Sequence, residues 1–559
     1  MLHWKSLLVG LIVMLLTVPG VSGETLFEED FDGGQSIDDM SKAWQFQTGQ
    51  WELKSGALQG SDCPDGWIAA GAKAGKNSWK DYKVSLRMKM ASRGSDWRDG
   101  PWIGFRHRDG NNAYTVGFYN RMTALHKASK GKLTGDQNEL ATSPYTLEDS
   151  GWHDVDIYAA GNTVGVAVDG KMILAAKDQG FNDSPAVESG GIVLGARRWA
   201  NSSGHTRVLF DDVSVETISS VPAGVKNLME KQREIEAFKQ AQAERSFTNV
   251  PRKVLAFYYP WYGTPDGLGR WRGWRGVDRD EENIANTAHY PEGGPYDSHD
   301  VDVIDGHIKQ ARTHGIDAFI SSWWGPRDYT DRALPKILDR AEEHGLEVSV
   351  YWETVPGSGE RQIRKGVNDI EYLMENYADH PAFLKVDGKP VIFVYGRIMQ
   401  QVHSQQWCEI IPRARKQTGR DFVLIADGYT EENARLFEGV HTYNPVPWVV
   451  DTPPAELPEK AEGRYESAVQ VARQFKKLSC LTVIPGYKDT QIREPGLDAK
   501  RHGGRTYHTL WQEAIEAKPD WVLITTWNEW YEGSTIETSV EYGDKYLELT
   551  DHYASEFTK

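Results

Sequence analysis

The densest chemistry in the sequence lies in Trp527-Asn528-Glu529-Trp530-Tyr531-Glu532-Gly533, where two glutamates stand three residues apart among aromatic side chains. Cleaving a glycosidic bond needs one carboxyl group to protonate the departing oxygen and a second to act as base or nucleophile. Neighbouring rings raise a carboxyl pKa by desolvation, and mutual repulsion keeps one member of a close pair protonated. On a tight turn this spacing lets both side chains face one cleft. The competing reading is that one of them only anchors the loop. Glu529 and Glu532 are therefore the candidate catalytic residues, with Trp527 and Asn528 beside them as candidate sugar contacts.

Carboxylates with this task need a rigid scaffold, and from Lys253 onward the chain alternates strand and helix. Apolar strand candidates are 254–259, 318–324, 347–352, 391–395, 422–426, 440–443, 481–484 and 521–526, with helical segments such as 300–314, 331–344 and 466–478 between them. Eight strands alternating with helices predict a (β/α)8 barrel, an α/β fold whose active sites sit at the carboxyl ends of the strands. Runs that are apolar throughout fit strands covered on both faces. A doubly wound open sheet is the alternative, but no glycine-rich phosphate fingerprint follows the first strand. The strand ends carry Tyr258-Tyr259-Pro260-Trp261-Tyr262-Gly263, Trp323-Trp324-Gly325, Trp352-Glu353, Tyr395-Gly396-Arg397, Asp427, His441-Thr442-Tyr443 and Gly486-Tyr487. Aromatic platforms converging with a few polar groups are what a pyranoside site requires.

The amino-terminal part reads differently. Residues 24–219 alternate polar and apolar positions in short segments, as in Tyr82–Met90, with hairpin turns at Ser55-Gly56 and Asp169-Gly170. This predicts an antiparallel β-sandwich of the jelly-roll type, making the protein multi-domain, as 559 residues would suggest. Residues 220–250 form a connector in which Val225, Leu228, Ile235 and Phe238 recur at helical spacing; the barrel domain then occupies 251–559. Residues 1–23 read as a secretory signal: Lys5 precedes an apolar run from Leu7 to Val18, too short to span a bilayer comfortably, and Val21-Ser22-Gly23 offers small residues for cleavage. The expected location is secreted or periplasmic, with no membrane association after cleavage.

A net charge of −17 disfavours nucleic acid and anionic membrane as partners and suits a neutral substrate. The 21 tryptophans fit either sugar stacking or a Trp-rich core. Cys63, Cys408 and Cys480 are too few and too scattered for a disulfide framework or a metal cluster. Asp30 and Asp32 lie in an acidic turn that either holds calcium or is simply solvated. Oligomeric state is not legible.

The motifs after the first, second and eighth strands resemble those of glycoside hydrolase family 99, the endo-acting α-1,2-mannosidases and mannanases. The resemblance covers roughly residues 250–555. It implies an oligo- or polysaccharide substrate, no metal or organic cofactor, and retaining cleavage through a 1,2-anhydro sugar. Glu529 would take the proton of the substrate's own 2-hydroxyl, and Glu532 would protonate the leaving oxygen and later activate water. Glu353, Tyr443 and Trp324 resemble family residues around the reacting centre, and Tyr258, Tyr259, Trp261, Tyr262 and Trp323 complete the expected sugar contacts. The amino-terminal part resembles concanavalin-like, laminin-G-type jelly rolls through Phe27–Gly33, Gly151–Val155, Val168–Gly170 and Leu209–Val215; such domains serve either as sugar binders or as spacers. The sequence departs from the family at Arg270, Arg272 and Arg275, where a His and a Lys are usual. These arginines either favour an anionic glycan or pair with Asp278, Asp280 and Glu281. A barrel that only binds glycan is the reading from another class, and retention of both glutamates speaks against it.

Overall fold

A computed structural model describes residues 23–559 apart from 34–35, 64–70, 129–137, 148–150, 181–183 and 248–249. The expected signal segment lies outside the described residues but for Gly23. The chain divides into two compact units, Met1–Glu234 and Ile235–Lys559.

The first unit is built from two antiparallel sheets of eight and seven strands. Their inner faces share one core that includes Val84, Leu86 and Met88 from one sheet and Ile103, Phe105 and Val116 from the other. Strand Tyr82–Ser92 alternates buried and half-buried residues along its first nine positions, as its sequence pattern predicts. Both predicted hairpins are present. Ser55 and Gly56 have φ of 52° and 74°, and Asp169 and Gly170 have φ of 50° and 74°, which is the two-residue geometry that matches strand twist.

The connector is a single helix, Ala223–Glu244, and the division between the units falls inside it. Val225 packs with Val221 and Ala175 of the first unit. Ile235 and Phe238 pack on the core of the second.

The second unit is a closed parallel barrel. Its strands are β1 (Lys253–Tyr258), β2 (Ala318–Trp323), β3 (Glu347–Trp352), β4 (Lys389–Val394), β5 (Val423–Asp427), β6 (Gly439–His441), β7 (Leu478–Val483) and β8 (Trp521–Ile524). Each pairs with its neighbours in parallel, and β8 closes on β1 with Lys253 opposite Trp521. Helices α1 (Val301–Thr313) and α2 (Tyr329–His344) follow β1 and β2, and the side chains of Asp300 and Asp328 accept from the first-turn amides of Asp302 and Thr330. The helix expected at 466–478 instead spans Leu457–Gln474. Lys476 with φ of 56° breaks it before β7 begins.

Strand alternation decides what each aromatic residue does. Val254, Ala256 and Tyr258 of β1 face the helical layer, whereas Leu255 and Phe257, with Tyr259 just beyond the strand, belong to the inner cluster. Likewise Phe319 and Trp323 face outward and Ala318 and Ile320 inward. The same period puts Trp352 in the helical layer and Tyr351 inside.

Candidate active site

The loop after β8 is tied down almost residue by residue. The Trp527 amide donates to Phe257 O at 2.8 Å, and the Glu529 amide donates to Thr526 Oγ1 at 2.8 Å. Asn528 behaves as an extra rung between β8 and β1: its Oδ1 accepts from the Tyr259 amide at 2.7 Å and its Nδ2 donates to Tyr259 O at 3.2 Å. Tyr262 threads the same loop, donating to Asn528 O and accepting from the Trp530 amide, each at 3.1 Å. A short 3-10 turn, Trp530–Glu532, begins with Glu529 as its cap, and Glu529 Oε1 accepts from the Tyr531 amide at 3.1 Å. The turn ends at Gly533, whose φ is 56° and where a Cβ would meet Lys488 O and Ala288 Cβ at 3.0 Å. One turn thus presents both glutamates, and part of Glu529 also anchors it.

The chemistry follows from what surrounds the carboxyl groups. Glu532 Oε2 accepts from the Tyr443 hydroxyl at 2.9 Å, and its Oε1 accepts from both terminal nitrogens of Arg493 at 3.2 Å. Burial raises the Glu532 pKa, while Tyr443 and Arg493 pull it back. Glu529 is pushed well above the ordinary carboxylate range, first by burial and then by the charge of Glu532, with only the Tyr531 amide and distant Arg493 opposing. Because the charge of Glu532 raises Glu529, the two carboxyls titrate as a unit that readily holds one proton. In the free protein that proton favours Glu529, and the charge favours Glu532 with its two donors. A third carboxyl, Glu353 beyond β3, is pushed up to about 7 by burial despite the Ser322 hydroxyl donating to it at 2.7 Å. Tyr259 lies within electrostatic reach of all three carboxylates.

The expected site residues therefore separate into two groups. Glu529, Glu532, Glu353, Tyr259 and Tyr443 converge on the barrel mouth, and Trp261, whose ring centre lies 4.4 Å from that of Tyr259, lines a cavity together with Trp324. Tyr258, Trp323 and Trp527 are corrected to structural roles. Tyr258 is buried against His307 and stacked on Phe319, Trp323 donates to Asp331 at 2.7 Å, and Trp527 packs on Phe319 and His307. Strand alternation points Tyr258 and Trp323 into the helical layer, and Trp527, in the loop beyond the end of β8, packs into the same layer. Asn528 and Tyr262 are also structural: both are fully buried, and Asn528 spends its amide on Tyr259 and on the Tyr296 hydroxyl.

The structure adds residues that were not anticipated. Arg493, from the long loop after β7, is held by the Tyr487 hydroxyl at 2.6 Å and by Asp489 while it reaches Glu532. Arg397 lies over the Trp324 ring at 4.8 Å and holds Glu353 electrostatically. Tyr531 stacks on Trp261 with ring centres 5.9 Å apart. A cavity of about 600 Å³ is lined by Trp261, Trp324, Tyr531, Arg272, Arg275 and Asp328, with Ile492 from the β7 loop, and Tyr531 joins it to the turn that carries both glutamates. Among the described residues neither Arg272 nor Arg275 pairs with an acidic side chain, nor does Arg270; the expected pairing with Asp278, Asp280 and Glu281 is not formed. Asp278 instead caps its own turn, accepting from the Asp280 and Glu281 amides at 3.1 Å.

With this geometry in view, comparison with known proteins is specific. The sequence model of glycosyl hydrolase family 99 matches residues 249–557. A glycoprotein endo-alpha-1,2-mannosidase of Xenopus laevis is 27% identical over 358 residues, 54% of this chain and 76% of the relative. A glycoprotein endo-alpha-1,2-mannosidase-like protein of Mus musculus is 27% identical over 374 residues, 57% of this chain and 79% of the relative. Among solved structures, the GH99 endo-alpha-mannosidase from Bacteroides thetaiotaomicron is similar at 27% identity and a TM-score of 0.47, over 54% of this chain and 97% of that one.

Proposed function

The chain belongs to glycosyl hydrolase family 99, and from that premise we propose that it is a secreted or periplasmic, endo-acting, retaining hydrolase of α-mannosidic linkages of the α-1,2-mannan type. The observation that carries this reading is that one tight turn presents both Glu529 and Glu532 at the barrel mouth, with Glu353, Tyr259 and Tyr443 around them. A pair that holds one proton supplies a base and an acid at once.

In the proposed sequence, Glu529 removes the proton of the substrate's 2-hydroxyl, the resulting oxygen attacks the anomeric carbon, and Glu532 protonates the leaving oxygen. Water then attacks the anomeric carbon of the 1,2-anhydro sugar as Glu532 takes its proton, and Glu529 returns its proton to the 2-oxygen as the ring opens. The free pair favours the opposite distribution, with the proton on Glu529. Substrate binding must therefore place the proton on Glu532 without changing the pair's total. A glycosidic oxygen near Glu532 accepts from its protonated form, and a hydroxyl near Glu529 stabilises its carboxylate, so both new contacts act in the required direction. Glu353 would bind sugar hydroxyls, and Trp261 and Trp324 would stack on adjacent sugar faces. The amino-terminal unit would act as an accessory domain for glycan or as a spacer.

The test is digestion of α-1,2-linked mannan with product analysis by mass spectrometry. Wild type should release oligosaccharides, and Glu529→Gln and Glu532→Gln should not. Activity on an unrelated polysaccharide alone would remove the mannan assignment and keep the chemistry.

A further inference from the structure

We infer that the cavity lined by Trp261, Trp324 and Tyr531 is a subsite for a sugar bearing a small oxyanion, read by the guanidinium groups of Arg272 and Arg275. This rests on the glycan-binding reading of the same barrel mouth and names a substituent that reading does not contain.

The first observation is one of position. Arg272, Gly273 and Arg275 of the loop after β1 line the cavity together with Trp261, Trp324 and Tyr531. Both guanidinium groups lie close enough to the Tyr531 hydroxyl to act on it electrostatically, which places two cations around one spot of the wall. Gly273 allows this approach: with φ of 79°, it sits where a Cβ would meet the Tyr531 hydroxyl oxygen at 2.5 Å.

The second observation is that these charges are not neutralised. Among the described residues no carboxylate pairs with either arginine, although the chain as a whole carries −17 and acidic side chains stand nearby in sequence. Arg272 lies over the Tyr329 ring at 4.5 Å, which orients its planar group without removing its charge. The one acidic residue in the lining, Asp328, is occupied at the start of α2, where it accepts from the amide and hydroxyl of Thr330 at 2.9 Å. The cavity therefore carries a local positive excess in an acidic protein.

The third observation is chemical. Two aromatic walls, Trp261 and Trp324, suit the faces of a sugar ring, and a forked guanidinium suits carboxylate, sulfate or phosphate oxygens by bidentate hydrogen bonds. The combination fits a pyranoside whose ring lies between the indoles and whose charged substituent reaches the arginines.

The experiment is a titration of intrinsic tryptophan fluorescence with methyl α-mannoside, its 6-sulfate, its 6-phosphate and the corresponding uronate, on the full chain. At least one charged probe should bind at least about tenfold more tightly than the neutral one, the size expected of a single charge-assisted hydrogen bond. That preference should weaken between about 0.05 and 0.5 M NaCl, as partly exposed charge pairs do. It should shrink in Arg275→Gln and vanish in Arg272→Gln/Arg275→Gln. Arg275 is exposed, so its single variant tests the idea even if the double variant folds poorly. Which probe wins identifies carboxylate, sulfate or phosphate as the preferred group. Equal binding of all four, or a preference that survives Arg275→Gln unchanged, overturns the inference. Cleavage of neutral α-1,2-mannan by the same preparation tests the functional reading separately: its failure beside a retained anion preference removes the mannan assignment alone.

Discussion

The floor and the rim of the barrel mouth treat charge in opposite ways. On the floor, Glu353 and Glu529 are buried and Glu532 is half-buried, the acidities of all three are reduced, and the loop that carries Glu529 and Glu532 is fastened by backbone and Asn528 hydrogen bonds. At the rim, Arg272 and Arg275 sit partly or fully in solvent with no carboxylate partner among the described residues. Buried carboxyls near one another are costly to the fold and useful to proton transfer. Unpaired surface cations cost little and are free to meet a ligand. On the proposed reading, bond cleavage belongs to the floor and substrate selection to the rim.

Breaking the floor should have the largest effects. Glu529→Gln should lower kcat/KM on unactivated mannan by about 10³-fold or more, in the upper range for loss of a general base, as measured by initial rates. Asn528→Ala should remove the rung that joins β8 to β1. It leaves the buried Tyr259 amide unpaired, so denaturant titration should show a loss of about 1–3 kcal/mol, with kcat falling as the carboxylates lose their placement.

A subtler change acts on titration. Tyr443 donates to Glu532 and so favours its charged form. In Tyr443→Phe the Glu532 pKa rises, and activity that depends on protonated Glu532 is lost at higher pH than in wild type. The alkaline limb of the pH–rate profile should therefore move upward. A downward shift would contradict the assignment of Glu532 as acid.

Glu353 tests the cost of the floor directly. Burial pushes its pKa up to about 7 from the ordinary 4.5. A raised carboxyl adds no penalty below its unfolded pKa; the penalty builds as pH rises from that value to the folded one and is constant above it. Glu353→Gln should then be more stable than wild type by about 2 kcal/mol at pH 8 and little changed at pH 4. The smallest effect is expected at the rim, where Arg275→Gln should change stability by less than about 0.5 kcal/mol.

Much of the barrel was legible in the sequence because its strands are continuous apolar runs, and the glutamate pair was legible because one tight motif holds it. The bounds of β3 are those expected, whereas other strand ends moved by one to three residues: β8 stops at Ile524 and β7 starts at Leu478. The less visible feature was direction. Tyr258 and Tyr259, or Trp323 and Trp324, are adjacent and chemically alike, and a strand apolar on both faces gives no pattern to separate the inward ring from the outward one. Only closure of the barrel sends Tyr259 to the mouth and Tyr258 to the helical layer. Arg493 was invisible for another reason. It sits in a loop without periodicity, and its role depends on Tyr487 and Asp489 folding back toward Glu532.

The central claim is that Glu529 and Glu532 carry the reaction with different tasks. The most direct measurement compares wild type, Glu529→Gln and Glu532→Gln on α-1,2-mannan and on an α-mannosyl-α-mannoside aryl glycoside with a good leaving group. An activated leaving group needs no protonation, so Glu532→Gln should recover formation of the first intermediate on that substrate while Glu529→Gln stays inactive on both. Full activity of either variant on unactivated mannan would contradict the account.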